Sequence, residues 1–374
     1  MQKSTNMKTK TEIQEEIVEG LVNPSHGLLK LAPRVGKTKL GIDIIKKEKP
    51  KSILWVTPNT KLRDEDIPAE FKQWKALTYL KKTDIICYAS LATHKGNYDK
   101  IILDEYQDIT MGNVQPLLNG SIKYKTIIGL SGTHPKHKEK QDIYDTLGLE
   151  SLSEMSIDEA VENNLIAPYR IKVIEIDLNN TNKNVTSGSK EKPFMQTEQE
   201  KYTYLSRLIG AKLAQNLVVP KFYYLNRMRF IYNLKSKHEF ARKLISKLKG
   251  RTLIFTGTIA QAEDLCENTY HSKTDDAMYN KFLDGKIKKL ACVNSGGIGS
   301  TYRGVNNFVI VQVNSNGKGD STQKIARSLV LQEGYVANIY ILVAKGTSDE
   351  VWKNKVLEDF DTSNVEHLNS KDYE

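Results

Sequence analysis

The sequence predicts an α/β protein with two tandem domains, each built on a parallel sheet. Three observations carry this. Short apolar runs alternate with polar or helical stretches through the first 130 residues. The same alternation restarts at residue 252. Between the first two elements lies GLLKLAPRVGKT (27–38), an apolar run that ends in a glycine-containing turn and leads into a helix. Apolar strands alternating with helices indicate a parallel sheet covered on both faces. A chain of 374 residues also suits two domains at about 150 residues each.

The turn at 32–38 is the first candidate site. Such a turn aims backbone N–H groups and a helix N-terminus at a phosphate. Pro33, Arg34, Val35 and Gly36 would cradle the phosphates, Lys37 would reach the β- and γ-phosphates, and the Thr38 hydroxyl would hold Mg²⁺. The general pattern asks for glycine five residues before Gly36, where this chain has Leu31.

Upstream, residues 11–22 place Ile13, Ile17, Val18, Leu21 and Val22 on one helical face, with Thr11 as N-cap. Gln14 lies on this helix. Downstream, strand-like runs occupy 53–57, 85–88, 100–104 and 126–130. Function in open parallel sheets gathers where such strands end. These runs end in Thr57-Pro58-Asn59, Tyr88-Ala89-Ser90, Asp104-Glu105-Tyr106-Gln107 and Ser131-Gly132-Thr133. Asp104 and Glu105 are adjacent on a strand tip and face opposite sides, so they divide the work. Asp104 would sit behind Mg²⁺, and Glu105 would orient and deprotonate the attacking water.

Residues 157–169 suggest a helix, and 170–178 a strand leaving the first domain. Residues 179–193 carry almost no apolar side chains and suggest a flexible loop. From 197 to 249 the chain is mostly helical, basic and rich in tyrosine. KFYYLNRMRFIYNLKSKHEFARK suits a nucleic-acid surface, and equally a helix with an apolar stripe and a basic outer face. The domain boundaries drawn from this are 1–165, a connecting segment 166–250, and 251–374. In the last part, runs at 252–256, 289–293, 308–313 and 338–343 suggest strands, and a polar tail follows Glu358.

The net charge of +10 fits a polyanionic partner as well as lysine-rich solvated faces. Cys87, Cys266 and Cys292 are far apart and in no metal-binding spacing, which favours a reducing compartment. No run reaches the roughly 18 apolar residues of a membrane span, so no membrane partner is expected.

With both halves in view, the chain resembles the superfamily 2 helicases and translocases over roughly residues 11–355. Within that superfamily it looks like the compact DEXH proteins of bacteriophages and bacteria, which implies a cytoplasmic setting in a bacterial or phage-infected cell. The resemblance implies two RecA-like domains with ATP in the cleft between them and nucleic acid across the top. Gln14 matches the glutamine that reads adenine, and 32–38 the phosphate-loop motif. Thr57, Pro58, Asn59 and the nearby Lys61 match the strand-gripping motif, which Tyr88 would extend. Asp104 to Gln107 match the DExH-type box, with Gln in the last place. Ser131 and Thr133 match the Ser-Ala-Thr motif that couples hydrolysis to strand contact. In the second half, Thr256 and Gly257 lie in a strand-contacting motif. Asn294 and Ser295 lie in the motif that touches strand and nucleotide, which also supplies Gly299. Gln323 and Arg327 resemble the glutamine and first arginine of the final motif.

The implied activity is nucleic-acid-stimulated hydrolysis of Mg-ATP, coupled to domain closure and stepping on a strand. DNA is favoured over RNA, branched intermediates are suggested by analogy, and the oligomeric state is left open, a monomer being compatible with the reading. Arg34 departs from the family pattern by replacing a glycine, and Ala326 does the same before Arg327. Val330 stands where the family's arginine finger belongs. This leaves three outcomes open: Arg327 carries the whole task, Arg303 substitutes, or hydrolysis is poor and the chain is an ATP-gated binding module. If Arg327 alone is a handicap, Val330→Arg is expected to speed hydrolysis.

Overall fold

In a computed structural model, residues 8–132, 134–135, 137–293, 302–313, 325 and 328–373 are described. The chain divides into two compact units, Met1–Ile166 and Ala167–Glu374.

The first unit is an open parallel sheet. Its strands are β1 (Gly27–Leu31), β2 (Ile53–Thr57), β3 (Thr83–Cys87), β4 (Gly96–Asp104), β5 (Ile122–Ser131) and β6 (Ser151–Met155). They lie in the order β3-β2-β4-β5-β1-β6, with every pair parallel. Both faces are covered, which is why β2 is buried along its whole length and reads as a continuous apolar run. Helix Lys37–Glu48 buries Leu40, Ile42, Ile44 and Ile45. At Gly41 an added Cβ would meet the Trp55 ring at 2.8 Å, so this glycine lets the helix lie close on the sheet. Each fully buried Leu or Ile contributes about 1.5–3 kcal/mol to such a core.

Helix Lys10–Gly20 begins earlier than its apolar stripe suggests. Its N-cap is Thr9 rather than Thr11, because Thr9 and Glu12 form a reciprocal capping box that satisfies two terminal N–H groups.

The second unit is also a parallel sheet. It contains β7 (Tyr169–Ile176), β10 (Thr252–Thr256), β11 (Thr269–Tyr270), β12 (Lys289–Val293), β13 (Asn307–Ile310), β14 (Ala337–Ala344) and β15 (Val365–Asn369). Their order is β11-β12-β10-β13-β14-β7-β15. The two-sheet α/β architecture read from the sequence is therefore the fold.

The strand expected at 170–178 lies past the first unit, in the second unit's sheet. β7 pairs with β14 from Tyr169 opposite Ala337 to Ile176 opposite Ala344, and its membership is set by that ladder. The stretch 179–193 is not all loop, since β8 (Val185–Gly188) pairs antiparallel with β9 (Pro193–Gln196). The tail after Glu358 supplies the edge strand β15, which β7 holds on its other side.

Helices Glu198–Ala214, Lys221–Tyr232 and Lys235–Lys247 lie in the second unit. A buried ionic cluster ties the last of them to the sheet. Lys237 Nζ and Asp349 Oδ2 are 2.5 Å apart, with both side chains fully buried. Gln312 Nε2 donates to Asp349 Oδ1 at 3.1 Å, and the Ala344 N–H donates to Asp349 Oδ2 at 3.1 Å. Among the described residues, no helix is long and apolar enough to cross a membrane.

Candidate active site

The C-terminal ends of β1, β4 and β5 lie side by side, because these strands are parallel neighbours. The residues that follow them form the candidate site. After β1 the chain turns through Arg34 and Gly36, both with positive φ (68° and 96°), and enters helix Lys37–Glu48. Gly36 occupies the N-cap position and offers no side chain, so no N-cap side chain takes up the first N–H groups of the helix. A Cβ at Gly36 would come within 2.3 Å of Gln14 Nε2, so this turn needs glycine for space as well as for φ. Arg34 holds the other left-handed position. This accounts physically for the glycine the sequence pattern favours there, since a side chain in that conformation costs roughly 1–2 kcal/mol.

Helix Lys10–Gly20 braces the turn from outside. Gln14, buried at 2 % exposure, donates through Nε2 to the Val35 carbonyl at 2.6 Å, and Lys10 Nζ donates to the Arg34 carbonyl at 2.6 Å. The Gln14 amide thus anchors the loop. Lys10 had no signal in the sequence, because a flexible cation one turn earlier resembles any solvated residue.

Lys37 projects toward β4, and its Nζ lies 3.4 Å from Glu105 Oε1. Gly132, just after β5, packs against the same lysine: a Cβ there would sit 3.3 Å from Lys37 Nζ and 3.3 Å from Pro33 Cγ. Glu105 adopts a left-handed backbone (φ 52°) unusual for a residue with a side chain. Its Oε2 accepts from Gln107 Nε2 at 3.0 Å. Gln107 Oε1 in turn accepts from the Ser131 hydroxyl. Glu105, Gln107 and Ser131 therefore form one hydrogen-bonded chain from the tip of β4 to the end of β5. Gln107 stood in the sequence motif, but its bridging role depends on the short 3-10 turn Tyr106–Asp108, which a motif cannot display. Tyr106 OH lies 2.9 Å from His134 Nδ1 beneath this chain.

The electrostatics are lopsided. Burial pushes the Asp104 carboxyl up to about 7, with the neighbouring Glu105 charge acting in the same direction and Lys37 opposing both. Burial and Glu105 also raise Asp108. Three carboxylates thus crowd one small region, with Lys37 the cation at Glu105. Among the described residues no three acidic, His or Cys side chains form a metal cage, so a divalent cation here would take only one or two protein oxygens and complete its shell with phosphate and water. Asp104 and the partly exposed Thr38 are the residues that would hold Mg²⁺.

Other expected site residues lie elsewhere. Thr57 is fully buried at the end of β2, so its hydroxyl does not face solvent. The Asn59 side chain caps the next turn by accepting from the Leu62 N–H at 3.0 Å. Pro58 is half-buried and Lys61 exposed. Tyr88 is a core residue at 5 % exposure, packed in the cluster with Leu54, Leu103 and Tyr144, and its hydroxyl is held well above the usual range by burial. It is not available to a strand, because the short helix Tyr88–Leu91 that it begins turns its ring into that core. Thr256 is also turned inward, its hydroxyl donating to the Cys292 carbonyl at 3.2 Å. At Gly257 an added Cβ would stand 3.0 Å from the Tyr232 ring. Thr133, Asn294, Ser295, Gly299, Gln323, Ala326 and Arg327 lie outside the described residues.

Val330 is described and is buried at 8 % exposure, its N–H donating to the Ser328 carbonyl at 2.9 Å. Arg303 is exposed, and its carbonyl accepts from Arg251. Position 330 is thus buried rather than open to solvent. Val330→Arg is therefore expected to lower stability by about 2–3 kcal/mol and not to raise turnover. Thermal melting together with an ATPase assay checks this, and faster turnover at unchanged melting temperature would contradict the burial argument.

No protein-family model matches the chain, and no curated protein matches it in sequence. Solved structures match its fold. One is the ATP-dependent Type ISP restriction-modification enzyme LlaBIII bound to DNA (TM-score 0.61, 12 % identity), where the match covers 97 % of this chain and 31 % of that one. The chain thus spans under a third of that enzyme. The helicase domain of Pyrococcus furiosus Hef matches at TM-score 0.55 and 13 % identity, covering 92 % of this chain and 96 % of that one. Saccharomyces cerevisiae Dbp5 bound to RNA and ADP BeF3 matches at TM-score 0.55 and 14 % identity, covering 97 % and 90 %. At these identities the likeness establishes the fold: two parallel-sheet α/β domains of the tandem RecA-like type.

Proposed function

We propose that this chain is an ATP-dependent helicase or translocase of superfamily 2, DEXH-type, working on DNA in preference to RNA. The observation that carries the reading is the convergence of Glu105 and Gly132 on Lys37, the first residue of the helix that Gly36 caps, with the buried Asp104 next to Glu105. That arrangement supports phosphoryl-group chemistry, in which positioning and charge neutralisation supply most of the rate. The fold neighbours support it as well, since their own descriptions include bound DNA, bound RNA and ADP BeF3.

In this reading the first N–H groups of the helix and Lys37 hold the β- and γ-phosphates. Asp104 and Thr38 would hold Mg²⁺, which when bound would neutralise the charge that builds up on the phosphate oxygens. Glu105, steadied by Gln107, orients a water molecule and takes its proton. Because Ser131 is the far end of the same hydrogen-bonded chain, a shift at the end of β5 would be felt at Glu105. Arg327 of the second unit would complete the charge neutralisation. Branched intermediates are the proposed substrate. The burial of Val330 favours one alternative, an ATP-gated binding module with little turnover, because position 330 supplies no arginine.

ATP hydrolysis measured alone and with single-stranded DNA, branched DNA or RNA tests the proposal. Stimulation of about 10-fold or more by one polynucleotide is expected, with turnover lost in Lys37→Ala and Glu105→Gln by about 10²–10³-fold. Turnover indifferent to every polynucleotide would end the helicase reading. Negligible turnover combined with ATP-dependent DNA binding would favour the gated module.

A further inference from the structure

The positive charge of this chain is not spread evenly. Residues 201–250 hold twelve Lys and Arg against one acidic residue, Glu239, an excess that exceeds the net +10 of the whole chain. Some of it is used internally, since Lys237 is buried against Asp349 and Arg242 pairs with Asp264. Helix Lys221–Tyr232 differs. It contains no acidic residue, and none of Lys221, Arg227 and Arg229 forms an ion pair among the described residues.

The same helix leaves aromatic rings in water. Phe222 is 53 % exposed and Tyr224 41 %. Its partner helix Glu198–Ala214 adds Tyr204, with Lys201 Nζ 5.6 Å from the ring centroid, and Arg227 lies 6.0 Å from the Tyr202 ring. Between helix Lys221–Tyr232 and helix Ser348–Leu357 is a cleft of about 550 Å³. Its walls include Lys221, Tyr224, Arg227, Met228, Val351 and Trp352, with no carboxylate among the lining side chains. The nearby Asp349 and Glu350 are engaged elsewhere: Asp349 is fully buried on Lys237, and Glu350 accepts from the Gly346 N–H at 2.9 Å.

We infer that this cleft and the helix face beside it are a binding surface for a single nucleic-acid strand. Tyr224 and Trp352 offer ring faces for bases, and Lys221 and Arg227 pair with backbone phosphates. Aromatic platforms interleaved with cations are how proteins hold single strands without reading their sequence. A purely apolar partner would leave these cations desolvated and uncompensated, whereas a polyanion matches them. The inference rests on the proposal that the chain works on a nucleic-acid strand, and it adds a part of the second unit to that work.

The test is equilibrium binding of a fluorescein-labelled 20-nucleotide oligo(dT), and of oligo(rU), to the full chain with no nucleotide present. Lys221→Gln/Arg227→Gln is expected to weaken binding by about 10-fold or more. It should also reduce the slope of log affinity against log salt by about 1.4, at roughly 0.7 for each of the two phosphates no longer neutralised. Tyr224→Ala is expected to weaken binding about 5- to 100-fold with the slope unchanged, since it removes a stacking ring and no charge. Basal ATPase and melting temperature of both variants should match the wild type, which excludes misfolding. Loss of oligo(dT) binding alone assigns the surface to DNA, and loss of oligo(rU) binding alone assigns it to RNA. Variants that bind both oligonucleotides like the wild type overturn the inference while leaving the ATPase reading intact. Displacement of the oligonucleotide by poly-glutamate at equal charge also overturns it, because the surface would then be a general dock for acidic protein segments. A wild-type chain that binds neither oligonucleotide and shows no polynucleotide-stimulated turnover removes both readings.

Discussion

Asp104→Asn is expected to reduce ATP turnover by about 10²–10³-fold or more and, at the same time, to make the nucleotide-free protein harder to melt. The two effects share one cause. Asp104 is 5 % exposed, beside Glu105, and its carboxyl is held up to about 7 against an ordinary value of 3.8. Between those values the folded chain holds this proton more tightly than the unfolded chain does. Stability therefore falls as pH rises from about 4 to 7 and stays flat above that, since the folded state must keep a buried, repelled charge. Asparagine removes that charge. At pH 8 without Mg²⁺ or nucleotide, the variant should gain about 1–3 kcal/mol, or roughly 3–10 °C in melting temperature for a unit of this size. At pH 4 the two proteins should melt together. Differential scanning calorimetry across that range decides the matter, and a variant that melts lower than wild type at pH 8 would show that the Asp104 charge is already compensated in the folded chain.

Asp349→Ala carries the second large expectation, in the opposite direction. Asp349 is fully buried and accepts from Lys237, Gln312 and the Ala344 N–H. Removing it strands a buried ammonium group and a backbone donor, which costs about 3–5 kcal/mol. The second unit should then melt roughly 6–20 °C lower. Replacing the pair together, Lys237→Met with Asp349→Leu, should recover most of that loss, because neither charge is then left alone. A double variant no better than Asp349→Ala would show that the cluster stabilises through Gln312 and Ala344 rather than through the ion pair.

The sheets were legible because their strands are short apolar runs between polar stretches, and the candidate site because parallel strands bring their C-terminal ends together. Legibility stopped where a side chain's direction, rather than its position, decides its role. Thr57 ends a strand and Tyr88 follows one, as site residues do, yet both are buried. Gln107 and Lys10 meet Glu105 and the Arg34 carbonyl only through backbone turns that no periodicity encodes. β15, VEHLN, has no apolar run because it is a half-exposed edge strand, and β7 reads as a strand whose sheet is set by a partner far along the chain.

That last pairing bears on how the protein is made. The strands of the first unit all lie between Gly27 and Met155, so each finds its neighbours soon after synthesis. β7 follows them from the ribosome, yet its two partners are β14 and β15, starting at Ala337 and Val365. For most of translation β7 has neither, and both of its hydrogen-bonding edges are open. An unpaired apolar strand of this kind is a template for association with other chains. The second unit should therefore be slow to fold and the first quick, and a ribosome stalled before residue 337 should display a finished first unit followed by a protease-sensitive, chaperone-bound strand.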